Sequence, residues 1–247
     1  MANNCLVTKL KGAVNDSSLL KLNELRWTIG AGKTIPISFK QKNSVSATLS
    51  VISGRGEFQQ ENSTVIGTTL TLTPNVTFYG KVVATTDIVI SCDTTGLDFE
   101  KMDFMQSPGL LKDCYFRALS QEGLKNLQIN GWDGALTIDE IKDAIPNIEN
   151  IDMLSIGSEG ITGEIADLVD FTNLANIYFA SGLLRTTMSG SIDVYAQAVA
   201  SSRAASSTCG VIGNGIITYK VNGVDTVINI GAKKTITFNG SGGYSIA

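Results

Sequence analysis

The spacing of hydrophobic positions along the chain changes near residue 96. Between residues 31 and 95, segments such as SVSATLSVI, TTLTLT and TDIVIS alternate apolar with small polar residues, and turn signals such as SGRG and QQENS separate them. Alternation with a period of two is typical of half-buried β-strands. We therefore predict a small β-sandwich over residues 31–95.

Beyond residue 96 the template L-x-x-L-x-L fits the chain four times. The matches are Phe99, Met102 and Phe104; Leu124, Leu127 and Ile129; Ile151, Leu154 and Ile156; and Leu174, Ile177 and Phe179. A second marker, glycine two residues before an aliphatic residue, recurs at Gly134, Gly163 and Gly190. Periods between twenty and thirty residues are typical of leucine-rich repeats, in which each unit supplies one short strand and one short helix. We predict an irregular leucine-rich-repeat-like α/β solenoid over residues 96–204, irregular because the usual asparagine three residues after the last apolar position is absent.

The segments between the matches favour helices, and the end of the chain favours strands. Thr137 stands three residues before Glu140, which is the spacing of a helix capping box, and Ile138, Ile141 and Ile145 share one helical face. PGLLKDCYFRAL and SIDVYAQAVASS are the candidate helices of the first and last units. Alternating segments on both sides of the Asn222-Gly223 pair predict a β-hairpin, so residues 205–247 are predicted to form a C-terminal β-hairpin or meander that caps the solenoid. The fold class is therefore mainly β with short helices.

Side chains between the apolar positions of a strand point to the opposite face of the sheet. The predicted exposed face of the repeat sheet comprises Lys101, Asp103, Met105, Asn126, Gln128, Asn130, Met153, Ser155, Asn176 and Tyr178. Amides with an aromatic residue suit contact with a protein or a sugar, and a merely solvated sheet face is the alternative.

Residues 1–30 contain apolar positions mixed with basic ones before any sheet pattern begins. The candidate anchoring residues are Leu6, Val7, Lys9, Leu10, Leu20, Leu22, Leu25 and Arg26. This segment either packs on the sandwich or docks on a partner, because large exposed apolar patches are rare on monomers. It lacks the basic region and apolar run of a secretory signal.

The amino-acid composition limits the possible binding partners and the expected state of the cysteines. Charged residues make up 17% of the chain and the formal net charge is −4, which argues against a nucleic-acid-binding protein because such a protein needs a basic patch. The sequence contains no run of 18 apolar residues, so no membrane-spanning helix is predicted. The four cysteines stand far apart, so we expect them to be reduced and mostly buried, with a disulfide pair as the alternative.

Histidine is absent, which excludes nucleophilic sites that depend on it and the commonest zinc ligand. Carboxylates remain for acid–base chemistry, namely Asp139, Glu140 and Asp143 on one predicted helix and Asp167 and Asp170 on another. Carboxylates at helix starts are more often caps or solvated groups. We therefore predict no catalytic site, no metal site and no cofactor.

The opening segment NCLVTKLKGAVNDSSLLKLNELR and the closing segment KKTITFNGSGGYSIA resemble terminal modules of small virion or prophage proteins. Such proteins occur in tailed bacteriophages of Bacteroidetes, including the crAss-like group, and their middle regions can contain leucine-rich-like repeats. The resemblance implies a non-enzymatic structural protein of the virion, synthesised in the host cytoplasm. Residues 5–26 would attach to a capsid or other virion protein as a homodimer or homotrimer, and the body would face solvent, a host-surface protein or a glycan.

A head fibre or capsid decoration protein is the first expectation from the resemblance, and a tail-associated protein is the second. Two other classes stay open at this point. A bacterial leucine-rich-repeat surface adhesin explains the repeats but is expected to carry an export signal. A polysaccharide depolymerase that uses carboxylates is expected to release sugar from a capsule, and this activity would disappear when an acid pair is replaced.

Overall fold

A computed structural model describes most of the chain from residue 24 onwards. The described residues are 24–42, 44–93, 97, 99–104, 111–116, 125–130, 135–144 and 148–247. They form mainly β-strands, with short helical segments between some of them. The predicted class, mainly β with short helices, is confirmed for this part of the chain.

The elements are numbered in chain order. The strands before residue 120 are β1 (Glu24–Ile29), β2 (Lys33–Gln41), β3 (Ala47–Ser53), β4 (Gly56–Gln60), β5 (Val65–Gly67), β6 (Thr69–Leu72), β7 (Thr77–Ala84), β8 (Ile88–Asp93), β9 (Phe99–Phe104) and β10 (Leu111–Phe116). The later elements are β11 (Asn126–Ile129), β12 (Leu136–Thr137), α1 (Ile138–Ala144), β13 (Met153–Ser155), β14 (Ile161–Thr162), β15 (Asn176–Tyr178), β16 (Ala180–Ser181), β17 (Leu184–Arg185), α2 (Ile192–Val199), β18 (Thr208–Ile212), β19 (Thr218–Val221), β20 (Val224–Val227), β21 (Lys233–Phe238) and β22 (Tyr244–Ile246). Two 3-10 helices lie at Ile148–Asn150 and Ile165–Leu168.

The first sheet has five antiparallel strands in the order β10-β1-β8-β3-β6. β1 begins before residue 31 and β10 lies beyond residue 95, so this sheet crosses both predicted boundaries of the sandwich-like domain. The predicted helix in PGLLKDCYFRAL is wrong, because residues 111–116 pair with β1 as a strand.

The second sheet has eleven strands and passes through the whole described molecule. Its order is β22-β21-β18-β15-β13-β11-β9-β2-β7-β4-β5. At one end, β2, β4, β5 and β7 pair antiparallel and face the five-stranded sheet across a shared core. Fully buried Ile37 and Phe39 on β2 and Leu49 and Ile90 on the opposite sheet belong to that core, as the period of two in their strands requires.

The middle of the eleven-stranded sheet is parallel. β9, β11, β13, β15 and β18 pair in register, and Met102, Leu127, Leu154, Ile177 and Val211 occupy equivalent positions. We call these five strands the parallel block. The L-x-x-L-x-L template predicts the same alignment for its first four strands, and the fully buried Leu127, Leu154 and Ile177 are its central positions.

Short helical segments lie between successive strands of the parallel block along the chain, and their buried residues belong to the common core. α1 starts at the predicted capping box: the Thr137 N–H and hydroxyl donate to Glu140 Oε2 at 2.8 and 2.9 Å, and the Glu140 N–H donates to Thr137 Oγ1 at 3.2 Å. Ile138 and Ile141 are buried as predicted, whereas Ile145 lies outside the described residues. No helix in the described ranges has both the length and the apolar character needed to cross a membrane.

α2 confirms the helix predicted in SIDVYAQAVASS. Ser191 caps it by accepting the Asp193 N–H at 3.4 Å, and Tyr195, 1% exposed, donates its hydroxyl to the Phe171 carbonyl at 2.9 Å. This bond ties the helix to the loop before β15, because a buried tyrosine hydroxyl needs a partner. The helix is therefore held by its buried apolar residues, by the Tyr195 hydrogen bond, and by Asp193, which accepts the Lys220 N–H at 2.8 Å and the Tyr244 hydroxyl at 3.1 Å.

The C-terminal strands complete the eleven-stranded sheet. β18 joins the parallel block through β15, and β21 and β22 continue the sheet antiparallel. The sheet thus crosses residue 205, where the cap was predicted to begin. The predicted hairpin is confirmed in β19 and β20: Asn222 and Gly223 have φ angles of 52° and 81°, as a type I′ turn requires.

Candidate binding surface

Two rows of positions in register alternate with the central apolar positions of β9, β11, β13 and β15. The first row is Lys101, Asn126, Met153 and Asn176, and the second is Asp103, Gln128, Ser155 and Tyr178. We call these eight residues the rung face. Neighbouring strands are about 4.8 Å apart, so equivalent groups in a row recur at that interval. The structure therefore aligns the backbones of these eight residues in two rows, although the side chain of Ser155 is buried.

The first row is half-buried along its length. The Lys101 ammonium lies 5.4 Å from the centroid of the Tyr79 ring, which is a cation–π distance, and Tyr79 itself is 54% exposed. Asn126, Met153 and Asn176 follow along the row. This row therefore leads from a cation beside an aromatic ring to two amides separated by a thioether.

The second row is less uniform. Gln128 and Tyr178 are half-buried, and Gln128 Nε2 lies 3.8 Å from Met153 Sδ. For Asp103 only the backbone is described, and it pairs with Gln128 and Ser38. The prediction that Ser155 is exposed is wrong: it is 3% exposed, and its hydroxyl donates to Asn130 Oδ1 at 3.0 Å.

Asn130 corrects the prediction of its own exposure. It was predicted on the exposed face, but it is 2% exposed, and its Oδ1 also accepts the Gly157 N–H at 2.9 Å. An internal amide is therefore present in the repeat region, one residue after the last apolar position of its strand. Met105, predicted on the same face, lies outside the described residues.

A second internal amide, Asn214, was missed by sequence reasoning. Its Nδ2 donates to the carbonyls of Thr186 and Met188, both at 2.9 Å, and its Oδ1 accepts the N–H groups of Ile216 at 3.0 Å and Ile217 at 2.9 Å. These four bonds satisfy the whole amide, which is 1% exposed. The Gly-Asn-Gly sequence at residues 213–215 is a turn signal that gives no indication of burial.

A glycine extends the first row toward the C-terminus. Gly210 is the register partner of Asn176, and a Cβ at this position would lie 2.9 Å from Asn176 Oδ1 and 3.1 Å from Lys233 Cε. The missing side chain thus leaves the space in which Lys233, from β21, crosses the face beside Asn176. Lys233 and the rung face form one continuous surface.

Charges at the start of the parallel strands shape one border of this surface. Burial raises the pKa of Asp152, the nearby Lys125 opposes that rise, and Glu100 adds to it. The Glu100 carboxylate also accepts a salt bridge from Lys40 at 2.9 Å. The border therefore carries both signs of charge, and its carboxylates stand beside lysines.

The acidic residues of the helices have structural roles. The Asp167 carboxylate accepts the Glu164 N–H at 2.8 Å in a second capping box, and Lys142 bridges Asp139 at 2.9 Å and Asp170 at 2.8 Å. The interpretation of these acids as caps and solvated groups is confirmed, except for Asp143, whose side chain lies outside the description. In the described part of the chain, no cluster of three or more histidine, cysteine or acidic residues has the arrangement of a metal site.

Two of the cysteines occupy equivalent situations in different regions. Cys92 on β8 and Cys209 on β18 are both buried free thiols, as predicted. Burial raises the pKa of each to about 12. Cys5 and the side chain of Cys114 lie outside the described residues.

The candidate anchoring residues fall mostly before the described part. Leu6, Val7, Lys9, Leu10, Leu20 and Leu22 lie outside the described residues. Leu25 and Arg26 belong to β1, where their backbones pair with Cys92 and Ser91 on one side and with β10 on the other. These two positions are therefore part of the five-stranded sheet, and an anchoring role for the segment stays a prediction.

Comparison of the chain with models of protein families, with curated proteins and with solved structures gives no match in any of the three.

Proposed function

We propose that this chain is a non-enzymatic structural protein of a bacteriophage virion, a head fibre or capsid decoration protein. It attaches through its N-terminal segment and displays the parallel block to solvent. One observation carries the display role: in-register strands set amides and an aromatic residue in regular rows on one side of a continuous sheet. The assignment to a virion rests on the resemblance of the two ends of the chain to terminal modules of virion proteins.

The proposal includes an irregular leucine-rich-repeat-like solenoid. Strands of the parallel block pair in register, and Gly163 and Gly190, with φ angles of 145° and 107°, precede the helical segments at Ile165–Leu168 and Ile192–Val199. A parallel β-bridge pairs Glu164, which follows Gly163, with Ser189, which precedes Gly190. The buried amides of Asn130 and Asn214 support the same interpretation, because they satisfy the backbone where one unit turns into the next.

Presentation of a surface is favoured over catalysis by the partners of the acidic residues. Glu140 and Asp167 cap helices, while Asp139 and Asp170 neutralise Lys142. A glycosidase that uses two carboxylates needs them to face each other across a substrate. These four acids face backbone N–H groups and a lysine instead.

The attachment test is a deletion of residues 1–23, which leaves β1 complete. Phage particles assembled with this variant should lack the protein, while the purified variant keeps a far-ultraviolet circular dichroism spectrum typical of β-structure. A matched control with Lys220→Gln, on the β19–β20 hairpin, should still be incorporated, because it leaves every candidate anchoring residue unchanged. Normal incorporation of the shortened chain would contradict the anchoring role.

Quantitative mass spectrometry of purified particles locates the protein within the virion. A copy number comparable to that of the capsid subunits supports head decoration, and a few copies per particle indicate a tail-associated protein. Recovery of the chain from bacterial envelopes without phage particles would favour a surface adhesin and overturn the proposal.

The display role has its own test. Replacement of Asn126, Asn176 and Tyr178 by alanine removes both amides of the first row and the aromatic residue at the end of the second, and leaves the buried positions intact. Particles that carry this variant at normal copy number should adsorb more slowly to host cells, because many weak contacts act together in a multivalent particle. A control with Lys220→Ala, on the β19–β20 hairpin, should adsorb normally. Equal adsorption of both variants would assign host contact to another surface.

A further inference from the structure

A cleft of about 890 Å³ lies where the chain passes from β5 in one sheet to β6 in the other. Its lining includes every residue from 69 to 73, together with Glu61, Ile66, Val76 and Phe78. A strand that offers one face to a cleft contributes alternate residues. Consecutive lining residues therefore mean that the cleft faces the backbone edge of β6.

The hydrogen-bonding phase shows which groups point along this edge. β6 pairs with β3 and, among the described strands, with no other. The Val51 N–H donates to the Thr68 carbonyl at 2.8 Å, and hydrogen-bonded pairs alternate along an antiparallel ladder. Leu70 and Leu72 therefore bond to β3, and the N–H and C=O groups of Thr69 and Thr71 point away from it, toward the cleft.

β6 is short, which is itself a protective feature, but this edge lacks the charge, proline and bulge that most often block a sheet edge. Its sequence, Thr-Leu-Thr-Leu, contains no charge and no proline, and its register with β3 runs without a bulge. Natural proteins protect exposed edges with lysine, proline or bulges, because an open edge is a template for another strand. β6 is therefore suited to accept one.

The size and chemistry of the cleft indicate what it would hold. A four-residue strand occupies roughly 630 Å³, from a rise of about 3.3 Å per residue, a strand spacing of about 4.8 Å and a sheet separation of about 10 Å. Ile66 and Val76, 37% and 55% exposed, offer apolar contact at its border. Among the described residues that line the cleft, Glu61 alone carries a charge.

We propose that this cleft binds one extended peptide strand of a partner protein. The strand adds to β6 through the backbone of Thr69 and Thr71, packs alternate apolar side chains against Ile66 and Phe78, and presents a lysine or arginine to Glu61. Backbone bonds supply the affinity in this mode and the side-chain contacts supply the specificity. The inference goes beyond the proposed function and does not depend on a virion.

The test uses the full chain and a fluorescein-labelled peptide, KVTVTV, with blocked ends. We expect saturable binding by fluorescence anisotropy, together with slower hydrogen exchange at the Thr69 and Thr71 amides. Only alternate N–H groups of an added strand face β6. Of two peptides N-methylated at alternate positions, one should therefore bind at least tenfold more weakly and the other close to normally.

Variants of the protein separate backbone from side-chain recognition. Thr71→Pro removes the N–H that faces the cleft, at an edge position where proline is tolerated, and should weaken binding at least tenfold. Thr71→Val keeps that N–H and should bind within about twofold of the original chain, because the mode relies on the backbone. Glu61→Gln should remove most of the salt dependence. If Thr71→Pro fails to fold, the N-methylated peptides still decide the question.

Several outcomes would overturn the proposal. A Kd weaker than about 1 mM for the peptide would do so, as would equal loss of binding for the two N-methylated peptides. Self-association that Thr71→Pro abolishes would assign the edge to a second copy of this chain. Binding of cello-oligosaccharides that Thr71→Val abolishes would assign the cleft to a glycan. The particle experiments above are read separately, so failure here leaves the proposed function standing.

Discussion

The sandwich and the parallel block share the eleven-stranded sheet but differ in how the edges of their strands are paired. We call the five-stranded sheet together with β2, β4, β5 and β7 the sandwich. In the sandwich, β6 and β5 end their sheets and leave pairing groups beside a cleft. In the parallel block, each strand from β9 to β18 has a neighbour on both sides, and β21 and β22 continue the sheet. The sheet of the parallel block therefore presents side chains, whereas the sandwich also directs backbone N–H and C=O groups of β6 toward the cleft.

The two regions also differ in how far apart in sequence their contacts lie. Within the parallel block, paired positions such as Leu127 and Leu154 are 27 residues apart in the chain. In the sandwich, Leu25 pairs with Phe116 across most of the domain. Buried residues of both regions nevertheless belong to one continuous core, so we expect the described molecule to unfold as one unit.

The largest expected effect is on thiol reactivity, which compares the two regions directly. Burial raises the pKa of Cys92 in the sandwich and of Cys209 in the parallel block from 9.0 to about 12. At pH 8 the thiolate fraction of each should be about a thousandfold lower than in the unfolded chain, which slows alkylation accordingly. Pulsed iodoacetamide labelling at increasing urea, with mass spectrometry of each peptide, should show both thiols becoming reactive at one urea concentration. Separate midpoints would show that the regions unfold independently.

The same thiols predict a pH dependence of stability. A thiol whose pKa is raised by folding stabilises the folded protein fully below pH 9.0, and this contribution is lost as pH rises toward about 12. The free energy of unfolding should therefore fall across that interval in urea titrations. Cys209→Ala should make the fall shallower, and an unchanged slope would contradict the assignment.

The next largest effect concerns the two cores. Leu154 in the parallel block and Leu49 in the sandwich are both fully buried, so replacing either by alanine should lower the free energy of unfolding by about 2–5 kcal/mol. If the core is continuous, each variant shifts the whole urea transition. Met153→Ala, one residue away on the rung face, should change it by less than about 0.5 kcal/mol. A Leu154→Ala transition that splits into two phases would separate the regions.

The parallel block could be predicted from sequence further than the sandwich could. Stacking in register places equivalent residues of successive strands side by side, so the L-x-x-L-x-L template aligned Leu127, Leu154 and Ile177 correctly. It missed β18 because the flanking positions of Val211 in the template are Thr208 and Gly213. Gly213 is required there, since a Cβ would overlap Ile228. Because one of these template positions is polar and the other is a tightly packed glycine, the template did not identify β18.

The sandwich needed information that local pattern does not carry. PGLLKDCYFRAL has helical character in isolation, yet residues 111–116 complete the five-stranded sheet beside β1. Tertiary pairing of this kind overrides local propensity. Alternation aligned the eight rung-face positions in two rows, but it predicted Ser155 wrongly as exposed, because this hydroxyl donates to the buried amide of Asn130. Hydrogen bonding between strands cannot be seen from alternation alone.

A smaller effect is expected for the buried amide of Asn130, which directly follows β11 of the parallel block. Asn130→Ala leaves the Ser155 hydroxyl and the Gly157 N–H without their acceptor, which should cost about 1–3 kcal/mol of unfolding free energy. Asn126→Ala, four residues earlier and half-buried, should change it by less than about 0.5 kcal/mol. Urea denaturation of both variants gives the difference, and equal small losses would show that Asn130 does not support the turn.

The smallest effect concerns the charges that join successive helical segments of the block. Lys142 lies between Asp139 and Asp170; burial opposes its charge, but the hydrogen bonds to the two carboxylates outweigh that cost and raise its pKa. Asp170→Asn should therefore lower the free energy of unfolding by no more than about 1 kcal/mol, and less at high salt. The stabilisation is present below the ordinary pKa of lysine and is lost as pH rises through the raised value. Asp225→Asn removes the looser 3.6 Å pair of the β19–β20 hairpin and should be close to neutral. If the two substitutions cost the same at low salt, the Lys142 bridges do not hold neighbouring helical segments together, and packing of residues such as Ile141 alone joins them.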